Sequence, residues 1–194
     1  MARPREFDED EVLEKALHVF WEKGFDGASL SDLLAAMELT KSSLYKAFGS
    51  KEQLFRRALA RYRQNHLNFR EEVLAETSPR AIVESLLQNI AALHTGPATP
   101  QGCFETNGSI GCAVEGASIR TDLIGDRAVF VDRLRQRFDE TCTDRSFPPG
   151  LTSTDAAEFV ATVIQGMAVQ ARAGAGRDRL LSVARAATSG WPAE

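Results

Sequence analysis

Apolar side chains recur every three to four positions along most of this 194-residue chain, and that period predicts α-helices. The stripes lie near residues 13–20, 30–37, 44–48, 54–62, 82–93, 123–138, 159–167 and 180–187. Glycine, proline or a capping residue stands between most of them, and runs of β-branched residues are few. The pattern therefore predicts an all-α protein of about nine helices, including one rich in small residues that starts near Cys103.

Two short stripes near the N-terminus are separated by a very tight turn. Ser29 with Asp32 three residues later is a helix-start pattern, and Thr40 is a good N-cap for the next helix. Only residues 38–39 lie between the first stripe and Thr40, and Gly49 ends the second helix. Helices joined this closely predict a helix-turn-helix, whose second helix enters the major groove of DNA. The spacing also fits two ordinary short helices of an α-helical protein.

The second helix of this pair has two different faces. Leu44 and Phe48 fall four residues apart on one side, which predicts burial. The other side carries Lys41, Ser42, Ser43 and Lys46, with Tyr45 at its edge. Lysines and small hydroxyl side chains suit a helix that lies against DNA, because they bind phosphates and base edges.

The overall charge of −4 at pH 7 is unusual for a DNA-binding protein, but the charge is unevenly distributed along the chain. Residues 40–70 hold eight basic side chains against the single carboxylate of Glu52, a net charge of +7, whereas residues 6–14 hold six acidic side chains. Charge interactions are screened over roughly 10 Å at moderate salt, so a local basic face suffices for phosphate binding. Such runs are also common on solvated helices, but the position beside the helix-turn-helix favours a DNA-binding face.

The segment from residue 16 to residue 62 carries a recognisable set of residues. They are Gly24, Phe25, Ser29, Asp32, Leu44, Tyr45, Phe48, Ser50 and Lys51. At this spacing the segment resembles the N-terminal domain of the TetR family of bacterial transcriptional regulators. One departure is Glu38, where many members have glycine, so this turn must accommodate a side chain. The resemblance implies a DNA-binding domain over residues 1–50, a connecting helix over 51–76, and an effector-binding and dimerisation domain over 77–194.

The resemblance also implies that the helix-turn-helix is the DNA-binding site. The candidate DNA-binding residues are Ser29, Ser31, Thr40, Lys41, Ser42, Ser43, Tyr45, Lys46 and Lys51. Family members commonly contact a phosphate through a lysine at the position of Lys51. Lys41 and Lys46 are expected to supply salt-dependent affinity, whereas the hydroxyl side chains between them lie nearer base edges. Arg3 and Arg5 form a short arm that either reaches an adjacent minor groove or stays disordered.

The last two predicted helices carry apolar and small residues that suit either a dimer interface or the core of a monomer. In the TetR family they pair with a second chain in a four-helix bundle, which implies a homodimer and a palindromic operator. The candidate dimer residues are Phe159, Val163, Met167, Leu180 and Ala184. Such a dimer represses by covering a promoter, and a small-molecule effector bound to the C-terminal domain releases it.

The sequence does not identify the effector. Residues that suit an apolar cavity with a few polar groups, and equally an ordinary core, are Cys103, Phe104, Asn107, Phe130, Phe138, Gln165 and Met167. Cys103 follows Gly102 at a predicted helix start, a location that raises thiol reactivity. Some TetR-like regulators have a Gly-Cys pair here and sense electrophiles or oxidants. A thiol-based regulator is therefore the alternative to release by a noncovalent ligand, and Cys103 also fits an inert core cysteine.

Other classes of function have little support in the sequence. Three cysteines without a CxxC spacing and three scattered histidines predict neither a disulfide framework nor a metal site, and no cofactor is expected. No nucleophile elbow, phosphate loop or supported carboxylate pair indicates an enzyme. A helical interaction module would lack salt-sensitive DNA binding, and a DNA-packaging protein would usually be basic overall. Without an apolar signal core or a bilayer-length apolar stretch, the protein is expected to be cytoplasmic and free of membrane contact.

Overall fold

The computed structural model describes residues 7–110, 116–143 and 146–192, which form ten α-helices. In chain order they are α1 (Glu9–Gly27), α2 (Leu30–Met37), α3 (Lys41–Phe48), α4 (Lys51–His66), α5 (Phe69–Leu74), α6 (Pro79–His94), α7 (Phe104–Ile110), α8 (Ala117–Thr141), α9 (Ser153–Arg172) and α10 (Arg177–Thr188). The all-α prediction with an N-terminal helix-turn-helix is confirmed. None of the described helices is both long and apolar enough to cross a bilayer. The predicted arm at Arg3 and Arg5 lies outside the described residues.

Short polar side chains begin several helices at the predicted positions. Asp8 accepts hydrogen bonds from two amides in the first turn of α1. Ser29 and Thr152 form reciprocal capping boxes with the aspartates three residues later, and Ser78 caps α6 just before Pro79. These bonds satisfy amide groups that have no partner inside a helix, so they fix where each helix begins.

Two helix boundaries differ from the predicted ones. Gly24 breaks α1 with a φ of 70° and a ψ of 178°, but a further turn follows as far as Gly27. The single helix predicted over residues 51–76 is two helices, because Leu67 leaves helical geometry and α5 restarts after Asn68. Leu67 packs in the first core, described next, whereas the buried end of α5 packs in the second, and the break lets the chain pass between them.

The buried apolar residues form two clusters. The first core fills the space among α1 to α4 around Phe20, Trp21 and Phe55, and it also includes Cys103 and Phe104 from the start of α7. The second core joins α6, α8, α9 and α10. Because the first core contains residues from beyond α5, the N-terminal half and the C-terminal half of the chain are packed against each other.

The helix predicted near Cys103 is short where it is described. α7 has seven residues, and the continuation predicted through Gly111, Cys112 and Ala113 lies outside the described residues. A Cβ at Gly108 would lie 3.1 Å from a Leu123 methyl group and 3.2 Å from the Phe55 ring. Glycine at this position therefore lets α7 approach α4 and α8 closely.

Candidate nucleic-acid interface

The turn between α2 and α3 depends on a left-handed residue, Glu38. Its φ is 55° and its ψ is 35°, and no other non-glycine residue in the described ranges has a positive φ. Its amide and that of Leu39 donate to carbonyl oxygens in the last turns of α2. Lys15 on α1 pairs with the Glu38 carboxylate at 3.1 Å. The turn therefore accommodates the side chain that departs from the family pattern.

Replacing Glu38 with glycine is expected to raise the free energy of unfolding by about 0.5 kcal/mol. Relief of the left-handed conformation contributes about 1 kcal/mol, and the greater freedom of glycine in the unfolded chain offsets part of it. The exposed pair with Lys15 contributes little. Urea unfolding of Glu38→Gly beside Glu38→Gln, which keeps the Cβ but removes the charge, measures both effects. A larger loss of stability in the glycine variant than in the glutamine variant would contradict this account.

Helix α3 buries one face and exposes the other, as predicted. Leu44 is fully buried and Phe48 is nearly so. The outward face carries the exposed side chains of Lys41, Ser42, Tyr45 and Lys46, with Ser43 half-buried beside them. Thr40 caps the helix by accepting a hydrogen bond from the Ser43 amide at 3.2 Å. This face offers two ammonium groups, hydroxyl groups and a phenol in one row.

The start of α2 places the two other candidate serines at the surface. The Ser29 hydroxyl donates to Asp32 at 2.7 Å and contacts the Ser31 hydroxyl at 2.9 Å. Lys23, and after it Ser29, lower the pKa of Asp32 to about 2, so this carboxylate stays ionised at neutral pH. Ser29 is therefore held by its helix cap, and Ser31 is the exposed hydroxyl beside it.

Five arginines between residues 56 and 70 contradict the predicted basic face, because each of them pairs with carboxylates of the same chain. The pairs are Arg56 with Glu52 and Asp122, Arg57 with Glu9, Arg61 with Asp10 and Glu14, Arg63 with Glu105 and Asp126, and Arg70 with Glu105, at 2.5–3.4 Å. Four of these arginines lie on α4, between the acidic start of α1 and the carboxylates of α7 and α8, and Arg70 on α5 reaches the carboxylate of Glu105 on α7. These arginines hold the protein together, and the lysines of the helix-turn-helix carry its basic character.

Lysines Lys41, Lys46 and Lys51 follow one another along α3 and the first turn of α4. The side chains of Lys41 and Lys46 are exposed on the outward face of α3. Lys51 is half-buried, and its Nζ lies 4.6 Å from the centre of the Phe25 ring. The aromatic contact positions Lys51 at the start of α4, where the helix dipole also favours an anion.

Similarity to known proteins extends over nearly the whole chain. Residues 12–58 match the sequence profile described as "Bacterial regulatory proteins, tetR family". The chain is 33% identical over 192 residues to the HTH-type transcriptional repressor ComR of Escherichia coli strain K12. The aligned region covers 98% of this chain and 91% of ComR. A solved structure of a cysteine mutant of the TetR family transcriptional regulator CifR with 26-bp double-strand operator DNA is 39% identical. It has a TM-score of 0.90 and covers 98% of this chain and 100% of that chain.

The chain belongs to the TetR family. A further relative, the HTH-type transcriptional repressor BdcR of Escherichia coli strain K12, is 27% identical over 185 residues, 94% of this chain and 88% of BdcR. The resemblance found from the sequence is therefore confirmed. The matched residues 12–58 contain the whole helix-turn-helix. The protein is a helix-turn-helix transcriptional regulator, and α3 is the second helix of its helix-turn-helix.

In this TetR-family protein, three of the seven candidate effector residues meet at one small cavity. Cys103, Phe130 and Gln165 line a volume of about 30 Å³ between α5, α7, α8 and α9. The other lining residues are Arg70, Glu105, Thr106, Arg127, Ala161 and Ile164. The apolar pattern of the sequence did not identify the charged residues that line this cavity. The one sign of them in the sequence was that charged residues interrupt largely apolar helices. Within the described ranges, no cluster of histidine, cysteine and carboxylate side chains could hold a metal ion.

The other four candidate effector residues do not line this cavity. Phe104 packs in the first core with its ring centre 5.0 Å from that of Phe55. Asn107 donates from its side chain to the Trp21 carbonyl at 3.2 Å. Phe138 and Met167 are buried in the second core. The apolar pattern marked Phe104, Phe138 and Met167 for burial, but it did not say which neighbours would fill the space around them.

Cys103 lies at the edge of the cavity and is 4% exposed. Its Sγ lies 3.5 Å from the hydroxyl of Tyr62. Burial raises the pKa of Tyr62 well above its usual value, so the phenol stays protonated beside the thiol. A reagent reaches this thiol only through the cavity or by local opening.

The structure corrects the predicted set of dimer residues, because three of the five candidates are buried within one chain. Met167, Leu180 and Ala184 pack in the second core, where α9 and α10 contact α6. Val163 packs partly against the same core, and Phe159 is 41% exposed. The exposed side of α9 includes Phe159, Thr162, Gly166 and Val169. The period identified the inward stripe of each helix, whereas a partner chain would contact the outward one.

Hydrogen bonds join the end of α1 directly to the C-terminal half, a feature that the sequence did not reveal. Trp21 donates from its indole to the Gly102 carbonyl at 3.1 Å. The Trp21 carbonyl accepts from Asn107 on α7, and Arg172 on α9 donates to the carbonyl of Glu22. These two carbonyls lie just before the break at Gly24, where α7 and α9 contact the end of α1. The DNA-binding half is therefore anchored to α9.

Proposed function

We propose that this TetR-family regulator is a repressor that binds a palindromic operator as a homodimer and is released by a small-molecule effector. The observation that carries the proposal is the exposed row of Lys41, Ser42, Tyr45 and Lys46 on a helix whose other face is buried. The operator complex of the similar regulator CifR and the repressor relatives ComR and BdcR support it.

A dimer is supported by the outward face of α9. Phe159 and Val169 are large apolar side chains with 41% and 47% exposure, and Gly166 lies between them with nothing within 4 Å of a Cβ built there. Exposed apolar groups beside a glycine suit the close approach of a second helix. A two-fold dimer places its recognition helices on half-sites one helical turn apart, about 34–36 Å, or a multiple of that distance.

Fluorescence anisotropy with DNA from immediately upstream of the protein's own gene tests this proposal. Scrambled DNA serves as competitor, and the titration is repeated at two salt concentrations. We expect a specific complex of two chains per site that weakens steeply with salt. If upstream DNA shows no preference, selection of bound fragments from the whole genome tests for an operator elsewhere. Equal binding of all fragments would refute the specific regulator.

Lys46→Ala is expected to weaken binding to all DNA sequences alike and to reduce the slope of log K against log salt by about 0.9 for each phosphate that the lysine neutralised. The reason is that Lys46 contributes charge rather than base recognition. Arg179→Ala on α10 is the matched control, since it also removes one positive charge. Changes at Ser43 are expected to alter sequence preference instead. Unchanged binding by Lys46→Ala at moderate salt would mean that α3 is oriented differently on DNA.

Thiol-based sensing is a second candidate, because Cys103 lines the cavity that lies between the two cores. Its burial predicts slow chemistry: iodoacetamide should alkylate exposed Cys142 at least about tenfold faster than Cys103 in the native protein. Peptide mass spectrometry after timed labelling measures both rates in one sample. Equal rates would favour the sensor, and loss of operator binding that Cys103→Ser prevents would establish it.

A further inference from the structure

We infer that the cavity between α5, α7, α8 and α9 binds the carboxylate group of a small organic acid, and that this acid is the effector. The inference rests on the proposed function, because it names the class of ligand that releases the regulator. Two guanidinium groups, those of Arg70 and Arg127, line the cavity beside one carboxylate, that of Glu105. A cavity with more cationic donors than anionic acceptors favours an anionic ligand.

Arg70 is the least satisfied of these groups. Its side chain is only 16% exposed, and its buried Nε has no hydrogen-bond partner among the described residues. Its Nη2 reaches Glu105 at 3.4 Å, beyond the usual range of a good hydrogen bond. The guanidinium lies 4.2 Å from the centre of the Phe130 ring, which holds it as a flat donor surface. Such a group matches the two oxygens of a carboxylate.

Glu105 is the group that an acid ligand replaces. It accepts a hydrogen bond from Arg63 at 2.8 Å and therefore favours Arg63 over Arg70. The cavity of about 30 Å³ holds roughly one water-sized group, so a small acid fits only when the Glu105 side chain moves aside. The space that this side chain vacates, together with the cavity, then holds the acid, and its carboxylate replaces that of Glu105 at Arg70. Glu105 keeps Arg63 as its partner after this exchange.

The remaining lining residues define the rest of the acid. Phe130, Ala161 and Ile164 supply apolar surface, while Thr106 and Gln165 supply polar groups. The amide nitrogen of Gln165 donates to the Ala161 carbonyl at 3.3 Å, so its oxygen is the atom oriented to accept a bond. This combination suits a carboxylate attached to a short apolar chain, because most ligand sites combine apolar walls with a few polar contacts.

Displacement of Glu105 connects the cavity to the DNA-binding half. Glu105 belongs to α7, and its partner Arg63 lies on α4, the helix that follows recognition helix α3. α7 also supplies Asn107 to the Trp21 carbonyl in α1. An acid that takes Arg70 from Glu105 therefore shifts α7 against both helices. Its unequal affinity for the two arrangements provides the coupling that release from DNA requires.

Calorimetry on the full chain tests the site, with butyrate as the probe and butyramide as its neutral isostere at constant ionic strength. Butyrate is expected to bind saturably and to raise the Tm, whereas butyramide does neither. Glu105→Gln should bind butyrate about tenfold more tightly, because the like charge that competes for Arg70 is gone. Arg70→Met should lose the binding.

Arg133→Met is the matched control, because Arg133 pairs with Glu71 at 2.7 Å on an exposed surface. It should bind butyrate as the wild type does. The gain of affinity in Glu105→Gln cannot come from misfolding, so it keeps the test decisive if Arg70→Met is unstable. Equal binding of butyrate and butyramide, or binding by Glu105→Gln no tighter than by the wild type, overturns the carboxylate site.

Anisotropy with operator DNA tests the regulatory part separately. Saturating butyrate should weaken operator binding at least about fivefold, the lower end of common allosteric coupling. If calorimetry gives the expected pattern and operator affinity stays unchanged, the acid is not the effector. If no specific operator complex forms even without butyrate, the proposed function fails, while calorimetry still decides whether the carboxylate site exists.

Discussion

Replacing Gly102 with alanine is expected to lower the free energy of unfolding by about 2–5 kcal/mol. Gly102 has a φ of 86°, which costs a residue with a Cβ about 1–2 kcal/mol. The new Cβ would also lie 2.9 Å from the Ala168 carbonyl on α9, and overpacking of this kind typically costs a further 1–3 kcal/mol, about the same again. The Gly102 carbonyl accepts the Trp21 indole, so the strain acts on the anchor between α1 and α9.

Gly150→Ala is the matched control for this prediction. Gly150 has the same φ of 86°, but no atom of the described residues lies within 4 Å of a Cβ built there. Its substitution should therefore cost only the backbone term, about 1–2 kcal/mol as at Gly102. Urea unfolding of both variants at one protein concentration measures the difference. Equal losses for the two would show that the close approach of Gly102 to α9 does not exist in solution.

Acid is expected to destabilise the protein by about 3 kcal/mol through a single buried histidine, His94. It is 0% exposed, and both ring nitrogens lack hydrogen-bond partners among the described residues. Burial, and to a smaller extent the charge of Arg70, lower the pKa of His94 from 6.5 to about 4. The unfolded chain therefore binds this proton more tightly, and the stability present above pH 6.5 is lost as the pH falls towards 4.

Two variants isolate the contribution of His94. His94→Leu should remove this part of the pH dependence and slightly stabilise the protein at pH 7, because no unpaired polar atoms remain buried. His94→Gln should also remove the pH dependence but should not stabilise the protein. The measurement is the free energy of unfolding of all three proteins at pH 7.5 and pH 5. A slope in both variants as steep as in the wild type would assign the acid sensitivity to other groups.

Local signals explain why the helix-turn-helix could be predicted from the sequence. Ser29 with Asp32, Thr40 and Gly49 act on helix ends within a few residues of themselves, so their effect does not depend on the rest of the fold. The apolar period likewise identified which side of α3 is buried, as Leu44 shows. Helix ends and buried faces are the properties that short-range sequence determines.

Long-range partners explain what the sequence could not show. The arginines of α4 were predicted to face DNA because the carboxylates of Asp122 and Asp126 come about sixty residues later in the chain. The break at Leu67 depends on two separate cores, which no local pattern encodes. Leu180 lies on a predicted apolar stripe and is buried, but periodicity cannot distinguish burial against α6 from burial against a second chain. The cavity could not be predicted from the sequence for the same reason, because its lining residues come from four helices that are distant in the chain.

The divided pairing of the α4 arginines makes salt act on the regulator itself. Arg57 and Arg61 hold α4 to α1, while Arg56 and Arg63 hold it to α7 and α8. Mobile ions screen these partly exposed pairs as well as the lysine–phosphate contacts. The slope of log K against log salt therefore includes a contribution from these intrachain ion pairs in addition to the contribution from neutralised phosphates. The excess would report how strongly the α4 arginines hold the two halves of the chain together.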